Sequence, residues 1–233
     1  ATPLSFFTPG GGSFVDFFDW RPDQGTTFHV IDRESGDVIA RRWTDPFFIF
    51  HHANAFERDG AIVLDLVAYR DADVVDGLFL GDWADWFDEE STDGDLRRYR
   101  IPLDGGRIDS ETLYRGCEMP RVAPQDRTRQ YRHAYVQGSA ERDGNHVAKV
   151  DLETGESRTW SGPGLFLEEP VPVLASGSDR PSDDGVVVVT ALDAEAGRSI
   201  LLVLDAATLD EVARAPLPHH VPFGFHGRYF PDL

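Results

Sequence analysis

Apolar positions along the chain fall in short runs of four to eight residues, rich in Val, Ile, Phe and Tyr and separated by clusters of Gly, Asp, Pro and Ser. Runs of that length, closed by turn formers and filled with β-branched and aromatic residues, predict strands throughout. The 3.6-residue period of an amphipathic helix is weak. Its best candidates are 71–80 and 205–214, and the second reads better as strand-turn-strand.

One local pattern recurs: a strand ends in an apolar residue and Asp, a tight turn follows, and a new strand departs. The turns open at Asp32, Asp104, Asp151 and Asp205, with steps of 72, 47 and 54 residues. An Asp at such a place can accept a hydrogen bond from the backbone two residues on, and Gly supplies positive φ in a hairpin. The mean step, about 58 residues, is of the order of one four-stranded blade, so the expected fold is an all-β propeller of roughly four blades. Four blades close a ring only in the smallest propellers, and otherwise the chain is part of a larger circle.

Composition narrows the partners. The 233 residues carry 41 acidic and 22 basic side chains, a formal charge of −19, and 41% of them are hydrophobic. That apolar share supports a core and excludes a disordered acidic tail. The charge argues against duplex nucleic acid. Only one of the basic residues, Lys149, is lysine; a dense carboxylate surface with arginine as the cation suits a protein kept soluble at high salt. No apolar run reaches the length of a membrane helix, and a cytoplasmic setting is expected. The single cysteine, Cys117, leaves no internal disulfide and no multi-cysteine metal cluster. The sole methionine is Met119 and the chain opens on Ala1, so a lost initiator or a start within a longer protein is expected.

The candidate chemistry lies in histidines and carboxylates at comparable phase. His51 stands among Phe47, Phe48, Phe50 and Phe56, and His226 between Phe225 and Gly227, 175 residues later. Glu118 and Glu169 stand between them, giving steps of 67, 51 and 57 residues. One polar residue per blade at similar phase is what a site on a propeller axis needs. Imidazole with carboxylate suits Fe, Mn or Zn. Neighbours on a strand face opposite ways, so only one of His51 and His52 can face a given site.

These stretches also resemble a known family, the carotenoid cleavage oxygenases. The resemblance rests on Phe50-His51-His52-Ala53-Asn54-Ala55-Phe56-Glu57 with Gly60–Leu66, and on Met119-Pro120-Arg121-Val122 followed by Gln130–Tyr135. Glu169-Pro170-Val171-Pro172-Val173, then Asp183–Val187, and the closing Pro222-Phe223-Gly224-Phe225-His226-Gly227 complete it in order. It implies a seven-bladed propeller with non-haem Fe(II) held on its axis by four histidines. His51 matches the third ligand and His226 the fourth, which argues against His52. Glu118 and Glu169 match carboxylates that bond the outer imidazole nitrogens, Glu118 with His51 and Glu169 with His226. His219 and His220 match no ligand, and His29, His133 and His146 are expected on the surface or in packing.

Complete members of that family are about twice as long, with the first two histidine ligands in their N-terminal half. The expectation is therefore that residues 1–233 form the C-terminal part of one propeller domain whose N-terminal half is absent. The resemblance further implies O2-dependent cleavage of a conjugated double bond in a carotenoid, apocarotenoid or stilbene-type substrate. Phe50, Phe56, Phe223 and Phe225 are candidates for a tunnel wall, and the intact protein is expected to be able to touch a membrane surface peripherally. Two competing readings stay open: an inactive fragment or interaction module without iron, and an acidic propeller hydrolase using a carboxylate pair.

Overall fold

The computed structural model describes residues 18–78, 93–140, 143–174 and 183–230, and within them the regular structure is strand apart from short 3-10 turns. By contacts the chain divides into two units, residues 1–48 with 69–92, and residues 49–68 with 93–233. The first holds one hairpin, β1 (Thr26–Ile31) against β2 (Val38–Thr44). At its base Phe28 packs against Phe47, and the Thr26 hydroxyl donates to the Phe47 carbonyl at 3.3 Å. The helix-like stretch at 71–80 is a 3-10 turn, Asp73–Leu78, with 79–80 outside the described residues.

Three antiparallel meanders follow. The first runs β3 (Phe48–Arg58), β4 (Ala61–Tyr69), β5 (Asp95–Pro102) and β6 (Asp109–Tyr114). The second runs β7 (Cys117–Arg121), β8 (His133–Gly138), β9 (His146–Asp151) and β10 (Ser157–Ser161). In the third, β13 (Gly185–Asp193), β14 (Arg198–Asp205) and β15 (Glu211–Pro216) follow an interrupted inner strand. Its two pieces, β11 (Leu165–Leu167) and β12 (Val171–Leu174), pair with opposite ends of β13. Sheets of this order are the blade unit of a propeller.

Apolar patterning decides which strands lie inside. β4 is a nearly unbroken apolar run buried on both faces, whereas the outer strands β6, β10 and β15 are largely exposed. Polar outer strands blunt the free edge that would otherwise invite pairing with another chain. The main core lies between the second and third sheets, where Tyr135 and Val147 meet Leu165, Leu167, Val187, Val189, Ile200, Leu202 and Leu204. Tyr135 also donates its hydroxyl to the Ala206 carbonyl at 2.9 Å. Between the first and second sheets the tie is polar: Asp65, fully buried, takes two bonds from Arg98 at 2.8 Å and one from the Tyr131 hydroxyl at 2.6 Å.

The recurring Asp marks the same hairpin each time, the one joining the last two strands of a sheet or, for Asp32, β1 to β2. Asp32, Asp151 and Asp205 build one common turn. In each, Oδ1 accepts the backbone N–H of the residues two and three places on, and the carbonyl accepts from the fourth. That fourth residue has positive φ: Gly36 at 77°, Gly155 at 73° and Leu209 at 62°. Asp104 opens a different turn, with Gly105 and Gly106 in succession at φ 109° and 100°. A further Asp, Asp193, accepts from Ala196 N–H ahead of Gly197 at φ 60°, and joins β13 to β14.

Candidate metal centre

Each of the three meanders begins with an inner strand that carries one site residue, and in two of them the strand is irregular at that residue. β7 slips register between Glu118 and Arg121, where Met119 takes φ 50° and Pro120 follows. The inner strand of the third sheet breaks between β11 and β12, at Glu168-Glu169-Pro170. A bulge or break releases a side chain from the up-and-down alternation of the ladder and re-aims it, and proline suits such a place because it offers no ladder donor. β3 is regular, and along it His51 is half-buried while His52 faces solvent, as strand alternation requires.

His226 arrives differently. After β15 no further strand is found among the described residues, and 218–230 is held largely by side chains. The Ser199 hydroxyl brackets Val221, donating to its carbonyl at 3.1 Å and accepting its N–H at 2.8 Å. Glu168 accepts the Gly224 N–H at 2.7 Å and Glu169 the Gly227 N–H at 2.8 Å.

The four predicted site residues meet. His51 Nδ1 donates to Glu118 Oε2 at 2.8 Å, and His226 Nδ1 to Glu169 Oε1 at 3.2 Å. Glu118 Oε2 also accepts the Met119 N–H. The two Nε2 atoms face each other at 3.2 Å, with the rings nearly perpendicular at 82°. A carboxylate on each Nδ1 fixes the tautomer that leaves the Nε2 lone pair bare. Two bare lone pairs at that separation repel unless a positive centre sits between them, so the arrangement accepts either a proton or a metal cation. The spacing lets both nitrogens lie about 2.0–2.1 Å from one shared ion. Among the described residues no group of three His, Cys, Asp or Glu gathers to hold a metal; this chain offers two imidazoles.

The hydrogen bond to Glu118 raises the His51 pKa above its ordinary value, against partial burial. His52 moves the other way, lowered by partial desolvation against the sheet and by its neighbour His51. The two carboxylates differ in surroundings: the Glu169 side chain is 4% exposed and that of Glu118 is 20%. The buried one has a cation, Arg121, whose Nη1 lies 2.9 Å from Glu169 Oε1 and donates to the Gly227 carbonyl at 3.2 Å. Arg121 lies inside the Met119–Val122 stretch and Glu168 directly before Glu169-Pro170, and neither carried an expected role.

The phenylalanines separate. Phe56 is in the core, edge-on to Tyr131 with ring centroids 6.3 Å apart. Phe50, Phe223 and Phe225 are exposed, and Phe223 leans edge-on against Phe166. His29, His219 and His220 are exposed. His133 is buried near Asp151, Asp183 and Lys149, and His146 bonds the Tyr114 hydroxyl at 2.9 Å.

Residues 1–231 match the family described as retinal pigment epithelial membrane protein. The carotenoid isomerooxygenase of Galleria mellonella is 34% identical over 96% of this chain and 47% of its own length. The apocarotenoid-15,15'-oxygenase of Synechocystis sp. is 33% identical over 97% and 46%. Among solved structures, cobalt-substituted Synechocystis ACO superposes with a TM-score of 0.79 at 31% identity, covering 89% of this chain and 44% of that one. The chain thus spans less than half the length of these relatives. Sheet order, the match over nearly every residue and the structural likeness agree: the sheets are propeller blades, and the chain belongs to the retinal pigment epithelial membrane protein family.

Proposed function

We propose that this chain supplies two histidine ligands, His51 and His226, to an Fe(II) centre that cleaves a conjugated double bond of a carotenoid or apocarotenoid with O2. The observation that carries the reading is the pair of opposed Nε2 atoms at 3.2 Å, each imidazole backed by a carboxylate on its other nitrogen. The names of the relatives support the substrate class. When bound, Fe(II) supplies the O2 chemistry that no side chain here can perform.

The chain's own part is orientation. Glu118 and Glu169 hold the Nδ1 protons and turn the two Nε2 atoms toward a common point. Neutral imidazoles add no charge to a divalent ion and suit iron among the first-row metals. In the overall reaction the alkene carbons each gain one oxygen atom of O2, giving two carbonyl products. The four electrons that reduce O2 come from the cleaved double bond, so no other reductant is needed.

Because the relatives are more than twice as long, turnover is expected only when the remaining part of the propeller is present. The test joins this chain to the upstream half of the Synechocystis oxygenase and follows an apocarotenal by chromatography. Cleavage by the fusion, abolished in His51→Ala and His226→Ala, is the expected result. Full activity in the double variant overturns the ligand assignment.

A further inference from the structure

Glu118 and Arg121 lie on one short strand, β7, yet they serve different imidazoles. Glu118 bonds His51 directly. Arg121 reaches past the bulge at Met119 to the other histidine's support, contacting Glu169 Oε1 at 2.9 Å and the Gly227 carbonyl at 3.2 Å. Glu169 in turn bonds His226 Nδ1 and the Gly227 N–H. His226 itself stands on a segment without strand pairing, and its side chain is 55% exposed. Packing alone therefore does little to fix that ring.

We propose that Arg121 is a positioning residue which sets the separation of the two imidazoles, by pinning the Glu169 carboxylate and the Gly227 carbonyl to the strand that carries Glu118. This rests on the metal reading above. Three anchors converge on residues 226–227: a carboxylate oxygen on the ring, its twin on the Gly227 N–H, and a guanidinium on both the carboxylate and the Gly227 carbonyl. Both contacts are made by one nitrogen, Nη1, whose two N–H donors are fixed in direction by the guanidinium plane. A lysine ammonium in its place keeps the charge and has donors enough, but on a flexible stem they rotate freely and hold no fixed direction.

The test titrates the whole chain with Co(II), followed by visible absorbance, and measures amide exchange at Gly227 without metal. Arg121→Gln is expected to weaken Co(II) binding about 10- to 100-fold, the range for residues that orient a ligand, and to speed Gly227 exchange. Arg121→Lys, which keeps the charge, is expected to fall between Gln and the native residue. Ile101→Ala, a core change on β5, whose partner strands carry none of these contacts, is expected to lower the melting temperature while leaving Co(II) affinity and Gly227 exchange unchanged. Native-like affinity and native-like Gly227 exchange in Arg121→Gln overturn the proposal. If the unaltered chain shows no Co(II) binding that depends on His51 and His226, the metal reading fails, and unchanged Gly227 exchange in Arg121→Gln then sinks the positioning role separately.

Discussion

Glu169 and Glu118 do the same job on the two imidazoles in unlike surroundings, and their removal has unlike costs. Replacing Glu169 by Gln leaves Arg121 without its anion in a largely buried place, a loss of about 3 kcal/mol. Replacing Glu118 by Gln keeps a neutral hydrogen bond near solvent, a loss of about 1 kcal/mol. Urea denaturation of both variants beside the native chain checks the order. The second effect depends on pH. Because Glu118 raises the His51 pKa, the pair stabilises the metal-free fold fully below the ordinary imidazole value of 6.5 and loses that contribution as pH rises through the raised value. The deficit of Glu118→Gln in melting temperature is therefore largest in mild acid and shrinks in mild alkali. Both glutamates were legible from their phase between the two histidines and from the family motifs. Arg121 sat in plain view beside Met119 and Pro120, but its partner carbonyl is 106 residues downstream, and no local pattern announces so distant a contact.

At the scale of elements, strands and turns follow closely from local chemistry. Asp32, Asp151 and Asp205 were readable because the turn is built by the Asp side chain and the residues immediately after it. Asp104 shares the apolar-Asp spelling, yet two glycines in succession give its turn another shape. The break between β11 and β12 was not readable, since it follows from both pieces finding the same partner, β13. The common turn offers two checks. Arg132 and two backbone N–H groups draw the Asp151 pKa down to about 2. A depressed carboxylate pKa stabilises the fold above the unfolded value near 3.9. Asp151→Ala is thus destabilising at neutral pH, and its deficit disappears as pH falls through about 2. Leu209 holds positive φ where the sister turns have Gly, but its side chain is 2% exposed in the main core. Leu209→Gly relieves the backbone by about 1 kcal/mol and forfeits about 3 kcal/mol of burial and packing. Thermal melting is expected to show a net loss.

For the molecule as a whole, a charge of −19 on 233 residues sets a self-repulsion that salt can remove. The screening length falls from about 10 Å at 0.1 M to about 3 Å at 1 M, so the melting temperature is expected to rise across that range of NaCl. The blade architecture was legible from the recurring Asp turn, whose mean step of about 58 residues is of the order of one four-stranded sheet. Convergence of His51, Glu118, Glu169 and His226 was expected from one polar residue per blade at a common phase, and the four do meet. The central claim is that His51 and His226 hold one divalent ion between their Nε2 atoms. X-ray absorption on the chain loaded anaerobically with Fe(II) tests it most directly. The account predicts two imidazole nitrogens from this chain per iron, one of them lost in each of His51→Ala and His226→Ala. Iron bound with undiminished stoichiometry and an unchanged spectrum in the double variant would contradict it.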